Sequence, residues 1–269
     1  MLRRLDFCPP NSLSGLVALW VAAVVLVAVP ASAETPEARG LSIAKKVDAA
    51  ADGFGNERSA SEMVLINAQG DKVTRKMHSQ SLEVKGDGDR SVITFDWPAD
   101  VKGTRMLTHA HKTGNDDQWL FLPAYNKVKR ISSRNKSGSF MGSEFAYEDI
   151  SAQELDKFTY KWLRDEKIAG RDCWVLERIP TYKSGYSKQV SWIDQGYLNA
   201  VKVDYYDRKG ELLKTSTMKG YTKYGTWWRW GRIDIINHQT RKRSTLTISD
   251  RKLGEGVDET DFEKRNLGE

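Results

Sequence analysis

From Glu62 onward, residues of high β propensity recur at a period of two, and clusters of Gly, Asn and Asp break the pattern about every ten to fifteen residues. Such alternation puts successive side chains on opposite faces of a strand, and short polar turns send the chain back antiparallel to itself. The body of the chain is therefore constrained to a meander of consecutive hairpins. Strands are predicted over 62–67, 72–79, 91–96, 118–122, 158–163, 172–179, 188–194, 201–206, 212–219, 226–236 and 244–248. The turns between them carry suitable chemistry, as in Asn67-Ala68-Gln69-Gly70-Asp71 and Asp207-Arg208-Lys209-Gly210. No βαβ alternation is present, which disfavours a parallel α/β enzyme core.

Two segments depart from this period. Thr35, Pro36 and Glu37 supply an N-cap, a first-turn proline and a first-turn acid, and Leu41, Ile43, Ala44, Val47 and Ala50 follow at helical spacing. A helix is predicted from Pro36 to near Asp52, closed by Gly53 and Gly55. The second departure runs from Ser137 to Ile150 and leads into Ser151-Ala152-Gln153-Glu154, which fits a capping box and predicts a short helix. Phe140, Met141 and Phe145 have no strand to hold them there, so they either plug the core or belong to a lid hinged on the neighbouring glycines and serines.

The N-terminus reads as an export signal. Arg3 and Arg4 precede an apolar run from Leu16 to Val29, and Ala31-Ser32-Ala33 offers small side chains for cleavage. A membrane anchor is the competing reading, but the run is shorter than the roughly 20 residues that span a bilayer, and Pro30 interrupts it. Residues 1–33 are thus expected to leave as a cleavable signal peptide, with 34–269 as a single periplasmic domain. Cys8 lies ahead of the apolar run, where it cannot serve as a lipid attachment site after cleavage. Cys173 alone remains, so the mature chain has no intrachain disulfide to form, and a thiol in so strand-like a run is a small buried hydrophobe. Of the formal charge of +6, Arg3, Arg4 and Asp6 account for +1, leaving +5. That mild basicity suits anionic headgroups or membrane surfaces, and no nucleic-acid recognition motif accompanies it.

Catalytic signatures are missing. There is no nucleophile elbow, paired-histidine zinc motif or phosphate-binding loop. His109 and His111 could share one face of a strand, although a solvated hairpin edge explains them better than a metal site. Asp87 and Asp89 lack the further oxygen ligands of a calcium loop and read as a turn. Apolar surface, in contrast, is abundant. Trp119-Leu120-Phe121-Leu122, Cys173-Trp174-Val175-Leu176 and Trp227-Trp228-Arg229-Trp230 place large side chains on both faces of their strands. Two-sided core packing is the plainer explanation; a curved sheet with helices on one face and an interior cavity on the other is the alternative.

A resemblance bears on that choice. Ala51-Asp52-Gly53-Phe54-Gly55, Trp119 to Ala124 with Lys127-Val128-Lys129-Arg130-Ile131, and Gly138 to Phe145 followed by Tyr147-Glu148-Asp149 together resemble the outer-membrane lipoprotein-sorting family, a branch of the LolA-like superfamily. Trp192-Ile193-Asp194 and Asp207-Arg208-Lys209-Gly210 fall where that family has a strand and its following hairpin. The resemblance implies a mainly β fold: an antiparallel, incomplete (half-open) β barrel with an N-terminal helix and a short lid helix. It also implies a hydrophobic cavity for lipid or lipoprotein acyl chains, no catalytic groups, no cofactor and no metal. A periplasmic carrier is expected, monomeric, in transient contact with membranes and partnered by an inner-membrane RND-type transporter. A lipid- or lipoprotein-sensing regulatory module on the same fold is the alternative. Phe140, Met141 and Phe145 are then expected as lid contacts, and Trp97, Trp119, Phe121 and Trp192 as cavity-lining candidates. Lys129, Arg130 and Arg134 are expected near an anionic headgroup or membrane surface.

Overall fold

The structure, a computed structural model, describes residues 34–132 and 135–268. The expected signal peptide over 1–33, and Arg134, lie outside the described residues. No helix among those described is long and apolar enough to cross a membrane.

One helix, α1 (Pro36–Ala51), precedes fifteen strands. These are β1 (Asn56–Ile66), β2 (Lys72–Leu82), β3 (Arg90–Trp97), β4 (Arg105–His109), β5 (Asp117–Leu122), β6 (Lys127–Arg130), β7 (Phe158–Ile168) and β8 (Arg171–Pro180), followed by β9 (Tyr186–Asp194), β10 (Asn199–Asp207), β11 (Leu212–Lys219), β12 (Thr222–Tyr224), β13 (Trp227–Arg229), β14 (Arg232–Asn237) and β15 (Arg243–Leu253). Thirteen form one sheet in the order β6-β5-β4-β3-β2-β1-β15-β14-β11-β10-β9-β8-β7. Every pairing in it is antiparallel, and the terminal strands β6 and β7 do not pair with each other. The result is a half-open barrel, as the resemblance implies.

The helix begins where the sequence predicts. The Thr35 hydroxyl accepts from the Ala38 amide at 3.1 Å, and Pro36 occupies the first turn. Past its end, Gly53 and Gly55 adopt φ of 85° and 71°, and each donates its amide to the Glu83 carboxylate at 2.7 Å. Ile43 and Ala44 are buried against the sheet, whereas Leu41 is exposed.

Alternation sorts the apolar residues into two faces. The inner face gathers Met63, Met77, Phe95, Met106, Leu120, Phe140, Phe145 and Ile235 into one cluster. Against the outer face, Val92, Leu107, Trp119 and Phe121 are sealed by Phe262 and Leu267, which come from single-turn 3-10 segments near the C-terminus. A second outer cluster centres on Cys173, Val175, Val190, Trp192 and Val201. Cys173 is wholly buried, and burial raises its thiol pKa.

Three expectations change. Strand β1 starts at Asn56 rather than Glu62, because its first half alternates serine, not an aliphatic residue, on the inner face. The predicted strand over 226–236 is broken: β13 pairs with β12 in a separate ribbon, and β14 rejoins the sheet. Gly231 marks the break; a Cβ there would lie 3.0 Å from the Gly220 carbonyl oxygen, so the two glycines let the ribbon pinch shut. Finally, Ser151 to Glu154 are not helical; the segment instead carries 3-10 turns at Phe140–Gly142, Tyr147–Asp149 and Leu155–Lys157. Its polar side chains bond elsewhere than a helix N-terminus: Ser151 donates to Asp116, just ahead of β5, and Gln153 to the Glu148 carbonyl.

Candidate binding cavity

The inner face is not filled to the centre. One cavity of about 250 Å³ lies over β1, β2, β3, β14 and β15, capped by Phe140, Phe145 and Ile150. Cross-strand register orders its wall. Glu57 faces Ser81, which faces Ser91; Ser59 faces Ser79, which faces Ile93; Ser61 faces Met77, which faces Phe95. Hydroxyls therefore give way to thioether and aromatic groups along the strands, and Leu246, Ile248 and Ile233 continue the apolar part. A second cavity, about 350 Å³, lies beneath α1; Ala44, Val47, Leu176, Ile193, Val203 and Met218 give its apolar wall, and Asp48, Tyr160, Arg178, Ser191 and Asn199 its polar one. Pockets that hold small ligands are of this order, roughly 300–1,000 Å³.

Both cavities meet a cleft of about 700 Å³, which shares Glu57 and Ser81 with the first and Asp48, Ala51 and Gln153 with the second. The cleft carries Asp48, Asp52, Glu57, Glu83, Asp87, Asp89 and Glu154 against Lys85, Lys112 and Arg229. Burial, reinforced by Glu83 and Asp52, pushes the Asp89 carboxyl up to about 6. Burial also raises Asp48 and Glu154. Asp87 moves the other way, to about 2, because His111 hydrogen-bonds it at 2.9 Å.

The covering segment is fastened rather than loose. Lys214 donates to the Glu144 carbonyl at 2.8 Å and to Asp149 at 2.6 Å, and the Tyr186 hydroxyl donates to Asp149 at 2.9 Å. Glu148 accepts from the Ser184 hydroxyl at 2.6 Å and the Gly185 amide at 2.9 Å; burial raises its pKa all the same. Asn237 donates to Glu144, the Glu144 amide donates to Ser244, and Arg75 donates to the Met141 carbonyl.

Of the residues singled out from the sequence, Phe140 and Phe145 line the first cavity at 2% and 5% exposure. Met141 packs against the same inner cluster. Trp119 and Phe121 face outward under Phe262, Trp192 faces outward beside Cys173, and Trp97 stands half exposed at the end of β3. None of these four lines either cavity. In Trp119-Leu120-Phe121-Leu122 the inner face receives the leucines, because the rings are needed to seal the C-terminal segment. Lys129 and Arg130 are exposed on edge strand β6, with Arg130 paired to Asp117. His109 does not join His111 in a site; its Nε2 lies 2.7 Å from the Phe262 carbonyl. Among the described residues no group of three or more His, Cys, Asp or Glu is placed to hold a metal ion. The serine rows escape a reading by apolar content, although their period of two, Glu57, Ser59, Ser61, Met63, Leu65, is present in the sequence.

A half-open antiparallel barrel with cavities on its inner face defines the architectural class of this chain. A crystal structure of a Vibrio parahaemolyticus domain, described as an outer membrane lipoprotein-sorting protein domain, is 51% identical and superposes with a TM-score of 0.84 over 86% of this chain and 99% of that one. The chain belongs to the outer membrane lipoprotein-sorting family. A DUF1329 family protein from Desulfovibrio piger is 30% identical, with a TM-score of 0.83 over 87% of this chain and 99% of its own. A LolA superfamily protein from Nitrosomonas europaea, 23% identical over 84% of this chain and 98% of its own, shares the fold at a TM-score of 0.67. A family model described as uncharacterized protein matches residues 87–269. No curated protein matches the sequence.

Proposed function

We propose that residues 34–269 form a non-catalytic periplasmic carrier that holds a lipid, or the acyl chains of a lipoprotein, inside the half-barrel. The observation that carries this reading is the pair of cavities on the inner face, each with an apolar part to its wall, Met63, Met77, Phe140, Phe145 and Ile233 in the first and Leu176, Ile193, Val203 and Met218 in the second, and both sharing residues with one cleft. Each methylene moved from water into such a space gains about 0.8 kcal/mol, so affinity needs apolar volume and no reactive group. The description of the Vibrio parahaemolyticus relative as a lipoprotein-sorting domain supports the same cargo class. The N-terminal pattern of residues 1–33 supports export of a freely diffusing domain. Lys129, Arg130 and Arg134 would meet an anionic headgroup, and an inner-membrane RND-type transporter would supply or accept the cargo.

Release requires that the cavity open or that an acceptor bind the cargo better. Opening would lift Phe140 and Phe145 away from Met63 and Met77, at the expense of the Lys214 and Glu148 bonds that fasten the segment. The test is mass spectrometry of organic extracts from gently purified protein, together with displacement of a fluorescent fatty-acid probe. A co-purifying lipid and a displaceable probe are expected. Protein that carries no lipid and takes up no probe would remove the carrier reading.

A further inference from the structure

A cavity built for hydrocarbon alone would line its wall with aliphatic side chains throughout, yet β1, β2 and β3 turn five serines inward at the end nearer the cleft. Ser59 and Ser79 satisfy each other at 3.1 Å. Ser61, Ser81 and Ser91 have no hydrogen-bond partner among the described residues, and Ser61 is only 9% exposed. These hydroxyls are not sealed off but open to the cavity space, where a ligand oxygen can take the place of water as their partner.

Charge at that end agrees. Arg251, 6% exposed at its side chain, donates through Nε to Glu57 at 2.8 Å and through Nη1 to the Trp230 carbonyl at 2.7 Å. Its Nη2 has no protein acceptor among the described residues. Arg229, on the cleft side, leans on the same carboxylate at 3.4 Å, so two guanidinium groups share one Glu and Arg251 is the cation that lines the serine-walled cavity. At the opposite end Met63, Met77, Phe140 and Phe145 close the cavity, and the charged groups there are engaged by the covering segment: Arg75 donates to the Met141 carbonyl, and Asp149 accepts from Lys214 and Tyr186.

We infer that this cavity takes an acyl amphiphile in one orientation: the oxygens of a carboxylate or ester head lie against Ser61, Ser81, Ser91 and Arg251, and the chain runs toward Met77 and Phe140. The inference rests on the carrier reading and adds the head chemistry and polarity of its ligand. A head that reaches the protein's hydroxyls from inside remains beside the cleft, so the polar end leaves first on release.

The test compares three ligands displacing diphenylhexatriene from the purified mature domain: palmitate, monopalmitoylglycerol and hexadecane. Palmitate and monopalmitoylglycerol separate a carboxylate head from an ester head. At least one of them is expected to bind about tenfold or more tightly than hexadecane, since one or two hydrogen bonds from these hydroxyls to the head are worth about that factor. The S61A/S81A/S91A variant is expected to shrink the preference to within about threefold while leaving hexadecane affinity within about twofold. The S61T/S81T/S91T variant keeps the hydroxyls, serves as the folding control, and is expected to retain the preference. Equal affinity for all three ligands in the native domain, or an undiminished preference in the alanine variant, would overturn the orientation alone. Failure of every ligand and of the probe itself to bind would overturn the carrier reading together with it.

Discussion

Lys214 on β11 and Asp149 on the covering segment meet at 2.6 Å, with their side chains 4% and 8% exposed. A buried pair of this kind contributes little beyond an apolar substitute, but breaking it strands a charge. Lys214 also holds the Glu144 carbonyl, so one ammonium ties down two points of the segment that carries Phe140 and Phe145.

Lys214→Met is accordingly expected to cost about 3–5 kcal/mol, because Asp149 would keep Tyr186 and the Ala146 amide as donors but lose its cation. Adding Asp149→Asn should recover part of the loss by removing the stranded charge. Urea unfolding of the single and double variants measures both. A single-variant loss below about 1 kcal/mol would show that the pair does not fasten the segment.

Gly40 sits in α1 where the helix touches β7, and a Cβ there would lie 2.6 Å from the Trp162 amide nitrogen and 2.8 Å from Lys161 backbone carbons. Elsewhere in a helix Gly→Ala gains up to about 1 kcal/mol of propensity. Here overpacking against backbone, worth about 1–3 kcal/mol, is the larger effect, so Gly40→Ala is expected to lower stability. A higher melting temperature in the variant would contradict the close packing of α1 on β7.

The meander, the helix and its Thr35 cap were legible because each is written in local terms: a period of two, turn residues, a capping hydroxyl. Strands β4 and β6 were not, since Arg105-Met106-Leu107-Thr108-His109 and Lys127-Val128-Lys129-Arg130 are too short to show a period. The inner wall was harder still. Size drew attention to Trp119, Phe121 and Trp192, yet which face of a strand looks inward depends on what covers the other side. For β5 that cover is Phe262 and Leu267, roughly 140 residues further along, and no local pattern announces them.

Phe262 makes that dependence measurable. It is wholly buried against Val92, Leu107, Trp119 and Phe121, and Phe262→Ala should cost about 3–5 kcal/mol through lost burial and the cavity left behind. Tryptophan emission should shift to longer wavelength as Trp119 gains water. Unchanged stability would mean that the C-terminal segment is not part of the folded core.

Asp89 supplies a pH dependence whose sign can be worked out. Its folded pKa of about 6 exceeds the ordinary value of 3.8, so the folded state holds this proton more tightly than the unfolded chain does. Below about pH 4 both states are protonated and the group is neutral in effect; from pH 4 to 6 the unfolded chain releases the proton first, and stability falls as pH rises. Asp89→Asn removes that loss while keeping an oxygen for the Val84 amide, which lies 3.4 Å away. Allowing for solvent screening at a partly exposed site, the variant should gain about 1–2 kcal/mol at pH 7 and almost nothing at pH 4. Urea unfolding at the two pH values decides it: an equal gain at both would trace the effect to something other than charge, and no gain at pH 7 would mean that burial, with Glu83 and Asp52 beside it, does not burden the Asp89 carboxylate in the folded cleft.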